Sequence, residues 1–241
     1  MPQKVPAFSF SDDALRVRQF LYEYWCAEGR PPNLREVHEA TGLPRDRIVD
    51  AYKELDLGLV CVVDLESQNY PVLKMQPFSA YPTPVRVLLG GRFHSYAGCA
   101  MESIALSKMP PFAGKEVVLD SYCVCCLEPL RLVTRDGEVL SATPASTLVH
   151  VSTSPRDWNK TNIVSMCDSM NFVADASHAE RYERQVCRRG VLFTLEQARR
   201  FVSGTAENRM WKYDWAPVSL DPERVLRGIE ALGVDVSNWK G

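Results

Sequence analysis

Apolar side chains at Ala14, Leu15, Val17, Phe20, Leu21, Tyr24 and Trp25 recur every three to four residues, and this spacing predicts a first helix over 11–28. Ser11 followed by Asp12 and Asp13 gives that helix an acidic start, suited to the positive end of its dipole. Gly29-Arg-Pro-Pro-Asn33 ends it. A short second helix is predicted over 34–40, a turn at Thr41-Gly-Leu-Pro44, and a third helix over 45–57. Two apolar runs, Leu59-Val-Cys-Val-Val-Asp64 and Tyr70-Pro-Val-Leu-Lys-Met75, flank a polar turn and predict a hairpin.

The pattern changes at Gln76-Pro-Phe-Ser-Ala-Tyr-Pro-Thr-Pro84, where three prolines in nine residues predict an extended linker. Beyond it, strands are expected over 85–89, 116–122, 130–134 and 147–152, with a turn at Arg135-Asp-Gly137. Helices are expected over 95–109 and over 195–202, the latter starting at Thr194, whereas 162–174 is mixed in period. The expected fold class is α+β: a mostly antiparallel sheet with helices packed on it. Four segments follow: a helical module with hairpin (1–76), a Pro-rich linker (77–84), a core domain (85–204) and a C-terminal extension (205–241). Trp211, Trp215 and Trp239 in that extension predict packing against the body or a partner rather than plain disorder. No internal repeat or low-complexity tract is present.

Three helices followed by a hairpin is the order of a winged helix, and it puts 45–57 where a recognition helix would lie. Arg45, Arg47 and Lys53 there are offset by Asp46, Asp50, Glu54 and Asp56, and the whole chain carries a formal net charge of −2. Such a surface does not neutralise phosphates, so nucleic acid is not the expected partner. The N-terminus lacks an uninterrupted apolar stretch and no run of about 18 apolar residues occurs, which predicts a cytoplasmic protein without membrane association. In 241 residues, 46% of them hydrophobic, there is enough apolar surface for a core. Eight cysteines without a secretion signal are expected as reduced thiols serving burial, metal binding or catalysis.

The chemistry concentrates in Tyr96-Ala-Gly-Cys-Ala-Met-Glu-Ser-Ile-Ala-Leu106, where Cys99 and Glu102 are three apart, and in Ser165-Met-Cys-Asp-Ser-Met-Asn-Phe172, which holds Cys167. On a helix, positions i and i+3 share a face, so a thiol and a carboxyl group are expected side by side. With a second thiol such a pair can grip a soft metal and deliver a proton beside it. Cys123-Val-Cys-Cys126 supplies thiolates for part of a zinc or copper site that Cys99, Cys167 or His178 would complete, or serves as extra thiols that pass metal on. Cys26 and Cys61 fall on apolar faces and are expected in the core, and Cys187 in a basic stretch is expected at the surface. His38, His94 and His150 form no metal-binding or triad spacing, and no Gly-rich phosphate loop indicates a nucleotide cofactor.

Phe93-His-Ser-Tyr-Ala-Gly-Cys-Ala-Met-Glu-Ser-Ile-Ala105, Gly114-Lys-Glu-Val-Val-Leu-Asp-Ser-Tyr-Cys123 and Ser165-Met-Cys-Asp168 together resemble the alkylmercury lyases, also called organomercurial lyases. Gly29-Arg-Pro-Pro-Asn-Leu-Arg-Glu-Val and Thr41-Gly-Leu-Pro-Arg-Asp-Arg-Ile-Val are similar to that family's N-terminal, winged-helix-like module. The resemblance covers about 12–202 in order of elements and implies the family fold over 85–204, with the tail as an extension. It implies that Cys99 and Cys167 are the two cysteines that bind mercury, that Glu102 stands at the position of the catalytic aspartate, and that Cys123 is structural. Gly98 stands where the family motif has tryptophan, and Asp168 where some members have a further cysteine.

The implied reaction is protonolysis of a carbon–mercury bond in a small-molecule substrate. It requires no cofactor, leaves Hg(II) on two thiolates, and hands the metal to a thiol buffer or a mercuric reductase. Three other functions remain open at this point: a family member acting on a different, biosynthetic substrate, a non-catalytic metal-binding or metal-sensing protein using the same thiols, and a winged-helix regulator.

Overall fold

The structure, a computed structural model, describes residues 9–158, 163–204, 210–212 and 221–239. Helix α1 (Asp12–Glu28) is capped by Ser11, whose hydroxyl accepts the Ala14 N–H at 3.2 Å. Helix α2 (Leu34–Thr41) begins with a reciprocal capping box between Asn33 and Glu36, and α3 (Arg45–Leu57) follows. Leu21 and Trp25 of α1 join Ile48, Tyr52 and Leu55 of α3 in one buried cluster. The expected hairpin forms between β1 (Cys61–Val63) and β2 (Val72–Met75), paired antiparallel with Cys61 opposite Met75.

Strands β3 (Phe78–Ser79), β4 (Arg86–Leu89), β5 (Arg92–Ala97), β6 (Val117–Tyr122), β7 (Pro129–Arg135) and β8 (Glu138–Thr143) extend this hairpin. Together they make an eight-stranded antiparallel sheet in the order β1-β2-β3-β5-β4-β6-β7-β8. Residues 77–84, expected as a linker, therefore contain β3, which pairs with β2 through Met75 and Phe78 and with β5 through Phe78 and Ala97. A second, three-stranded antiparallel sheet has the order β10-β9-β11, from β9 (Leu148–Val151), β10 (Met170–Val173) and β11 (Val191–Thr194). Helices α4 (Ala100–Ser103), α5 (Ile163–Asp168), α6 (Ala176–Val186), α7 (Leu195–Val202) and α8 (Pro222–Ala231) complete the set among the described residues.

Helix α7 starts as expected, with Thr194 and Gln197 forming a capping box. The helix expected over 95–109 is a correction. Residues 92–97 are strand β5, whose buried Ser95 and Ala97 alternate with less buried neighbours, and only one α-helical turn follows before short 3-10 turns at Leu106–Lys108 and Pro110–Phe112. Pairing with β3 and β4 overrides the helical spacing there.

Close contacts bind the helical module to the sheet. The Trp25 ring stacks on Phe78, with centroids 5.5 Å apart and planes 13° from parallel. Gly29, which ends α1 with φ 71°, lies so close to β5 that a Cβ there would sit 2.0 Å from the His94 carbonyl oxygen. In the tail, Trp239 is buried, its carbonyl accepting from Arg156 at 3.1 Å, and Trp211 packs against the core, whereas Trp215 lies outside the described residues. Among the described residues, no helix is long and apolar enough to cross a membrane.

Candidate active site

Gly98 and Cys99 form the junction between β5 and α4. Gly98 N–H donates to the Pro77 carbonyl at 2.6 Å, which pins the junction against the start of β3. Cys99 then takes extended backbone angles and becomes the N-cap of α4, its sulfur accepting the Glu102 N–H at 3.3 Å. The three-residue spacing of Cys99 and Glu102 is thus that of a helix cap and its third residue rather than of two neighbours on one helix face. Capping fixes the sulfur beside the first turn, and Glu102 is carried by that same turn.

Cys167 arrives from α5, next to β10. Ligand atoms of Cys99, Glu102 and Cys167 all lie within 4.8 Å of one another. The three residues are buried, at 4%, 8% and 3% exposure. Met170 of β10 places its Sδ 4.0 Å from the Cys99 sulfur, adding a soft apolar contact. Burial, the neighbouring Cys167 thiol and the charge of Glu102 push the Cys99 thiol well above its ordinary value, against the opposing Glu102 N–H.

A narrow cavity reaches two members of this cluster, Glu102 and Cys167, and is lined also by Gly98, Val60, Val62, Lys74 and Gln76. Cys61, expected only as core, is buried and also borders the cavity. Lys74 was not anticipated. Its ammonium is buried, bonds Asp168 Oδ1 at 2.9 Å and sits over the Tyr81 ring at 5.2 Å. Burial alone would favour the neutral amine, but attraction to Cys167 and the bond to Asp168 outweigh it and raise the Lys74 pKa. The cavity thus has a fixed positive charge beside Cys167.

Cys123, Cys125 and Cys126 stand apart from this cluster. Cys123 is buried at the end of β6 with its sulfur accepting the Ala174 N–H at 3.4 Å, and Cys125 and Cys126 are partly buried in the turn that follows. Of the residues considered from the sequence to join them, the fold brings His178 next to Cys126, and Cys99 and Cys167 to each other. Cys26 is core and Cys187 is exposed.

What the arrangement can do follows from its donors. Two sulfurs and one carboxylate oxygen in a buried site can hold a soft thiophilic cation and exchange a proton next to it.

Comparison with known proteins points the same way. The family profile described as MerB, alkylmercury lyase, matches residues 78–206, more than half of the chain. Alkylmercury lyases of Bacillus cereus and Clostridium butyricum are each 23% identical over 154 residues, covering 64% of this chain and 65% of the relative. The chain thus spans just under two thirds of the length of these curated relatives. The fold is similar to that in the crystal structure of the mercury-bound form of MerB2, with a TM-score of 0.64 at 19% identity, over 83% of this chain and 92% of that one.

Proposed function

This chain belongs to the alkylmercury lyase family, and we propose that it cleaves a carbon–mercury bond by protonolysis, Cys99 and Cys167 binding the metal and Glu102 delivering the proton. The observation that carries this reading is the buried Cys99–Glu102–Cys167 cluster, with its ligand atoms within 4.8 Å of one another. In this reading Cys167, beside the Lys74 charge, takes the organomercurial first, displacing its anion X. Cys99 still holds its proton, and Glu102, carried on the turn that Cys99 caps, accepts that proton as the Cys99 sulfur bonds to mercury. The carboxylic acid then protonates the carbon, and the carbon–mercury bonding pair becomes the new C–H bond. The balance is R–Hg–X plus two thiols, giving R–H, HX and mercury bridged between two sulfurs. No cofactor takes part, and small thiols or a mercuric reductase remove the ion.

The test is benzene release from phenylmercury in excess thiol. The native chain is expected to turn over, and Cys99→Ser and Cys167→Ser to lose at least about 100-fold through loss of a group acting at the reacting metal. Native-level release from either variant would refute the assignment.

One observation favours a second reading of the substrate. Gly98 borders the cavity where the family motif has tryptophan, and the acid is one methylene longer, so the site suits a differently shaped organometal or electrophile. Comparing phenyl-, methyl- and bulkier alkylmercury compounds decides it: faster cleavage of the bulkier groups than of phenyl or methyl would support this second reading.

A further inference from the structure

A second group of metal-ligand atoms lies away from the cavity: Cys126, Glu128 and His178 also place one donor each within 4.8 Å of the others. Cys126 and Glu128 belong to the turn between β6 and β7. That turn is tightened by Cys126 and Leu127 N–H groups, which donate to the Cys123 carbonyl at 3.3 and 2.7 Å, and by Cys123 N–H, which donates to the Glu128 carbonyl at 2.8 Å. Leu127 takes φ 66° to complete it. Folded this way, Cys123-Val-Cys-Cys126 sets the Cys123 and Cys126 sulfurs beside each other, and the Glu128 N–H points at the Cys126 sulfur. A Cys-x-x-Cys turn of this kind is how many zinc sites supply their first two ligands.

His178 comes from the first turn of α6. Its Nδ1 lies 2.9 Å from Asp175 Oδ1, and Asp175 itself is the N-cap of that helix. A carboxylate on Nδ1–H fixes the tautomer and leaves the lone pair on Nε2, the arrangement in which histidine binds metal. The turn is held against β10 by Val124 N–H, which donates to the Phe172 carbonyl at 3.3 Å, and against α6 by Gln185 Nε2, which donates to the Cys125 carbonyl at 3.3 Å. The donors are therefore brought together by elements that are already docked.

We propose that Cys126, Glu128 and His178 form a zinc-binding site distinct from the Cys99–Glu102–Cys167 cluster. Sulfur, imidazole nitrogen and carboxylate oxygen together suit zinc, whereas copper(I) prefers sulfur alone. The site clamps the β6–β7 turn of the large sheet to α6. It is independent of the lyase reading and requires no organomercurial.

The test uses the full chain carrying Cys99→Ser and Cys167→Ser, kept reduced by a phosphine and titrated with cobalt(II) as a coloured probe and then with zinc. One equivalent of cobalt is expected, with a near-ultraviolet thiolate-to-cobalt band that zinc abolishes. Cys126→Ser should remove the band, and both His178→Gln and Asp175→Asn should weaken binding at least about tenfold. Zinc should raise the melting temperature of this chain but not of its Cys126→Ser derivative. Circular dichroism identifies any variant that fails to fold, and His178→Gln at its partly exposed position keeps the test open in that case. The proposal is overturned by absence of the band, by a band that survives both Cys126→Ser and His178→Gln, or by cobalt that binds the native chain and not the chain lacking Cys99 and Cys167.

Discussion

Lys74 Nζ lies 2.9 Å from Asp168 Oδ1, so a buried ammonium on β2 holds the residue directly after Cys167. The pair is lopsided: the Lys74 side chain is 5% exposed and that of Asp168 57%. Removing one partner is therefore unlike removing the other. Lys74→Met leaves a carboxylate that water can solvate and puts an apolar side chain in a buried slot, so its stability should stay within about 1 kcal/mol of native. Asp168→Asn leaves the ammonium buried and should cost about 2 kcal/mol, less than for a fully buried pair because Asp168 is half in water. Urea denaturation of both variants measures the difference, and equal losses would show that the ion pair is not what anchors Lys74.

Glu102 is the residue whose length departs from the family motif. Glu102→Gln keeps its shape but removes the transferable proton, and benzene release from phenylmercury should fall by about 100-fold or more. Glu102→Asp restores the shorter acid and should release benzene faster than the native chain, since positioned proton transfer is sensitive to displacements of about 1 Å. A slower Glu102→Asp would mean that the surrounding walls are matched to glutamate.

Phe78 is fully buried and stacks on Trp25, joining the helical module to the sheet. Phe78→Ala should lower unfolding free energy by about 3–5 kcal/mol, the range for truncating a buried aromatic ring. Loss of the module's contact with β3 should also slow the proposed carbon–mercury cleavage, because Phe78 borders the cavity. Chemical denaturation and turnover on the same preparation test both effects.

His94 and His150 are both held below the ordinary histidine value of 6.5, burial being the main cause in each. The unfolded chain therefore takes up protons on these rings at a pH where the folded chain does not. Stability they contribute is present above about pH 6.5 and is lost as pH falls below it, by up to about 1.4 kcal/mol per pH unit for each ring. The urea midpoint should drop between pH 7 and pH 5. In His94→Gln, which keeps a donor for the Cys26 carbonyl that His94 Nε2 meets at 3.0 Å, the drop should be shallower.

Much of this was legible in the sequence where the signal is local. Asn33 with Glu36 and Thr194 with Gln197 are caps readable from side chains three apart, and both appear in the structure. The pairing of Cys99 with Glu102 was legible too, although through a sulfur cap rather than a helical face. Long-range features were not. Pro77, Pro82 and Pro84 mark a break in helical and strand spacing, but β3 between them is held by partners on β2 and β5 that no local pattern announces. Nothing local marks Lys74 as the partner of Asp168, far along the chain, and among Cys99, Cys167 and His178 as candidates to join the Cys123-Val-Cys-Cys126 thiols only the fold selects His178, by bringing it to Cys126.

Because β3 carries the sheet across from the hairpin, the cavity is lined by two separate stretches of chain. Val60, Cys61, Val62, Lys74 and Gln76 precede the segment matched by the family profile, while Phe78, Gly98, Glu102 and Cys167 lie within it. Every proposed reacting atom is on the second stretch, and the first supplies mainly shape and charge. Substitutions at Val60 or Val62 would thus reshape the cavity without touching the proposed reacting groups, whereas one at Lys74 would also change the charge beside Cys167.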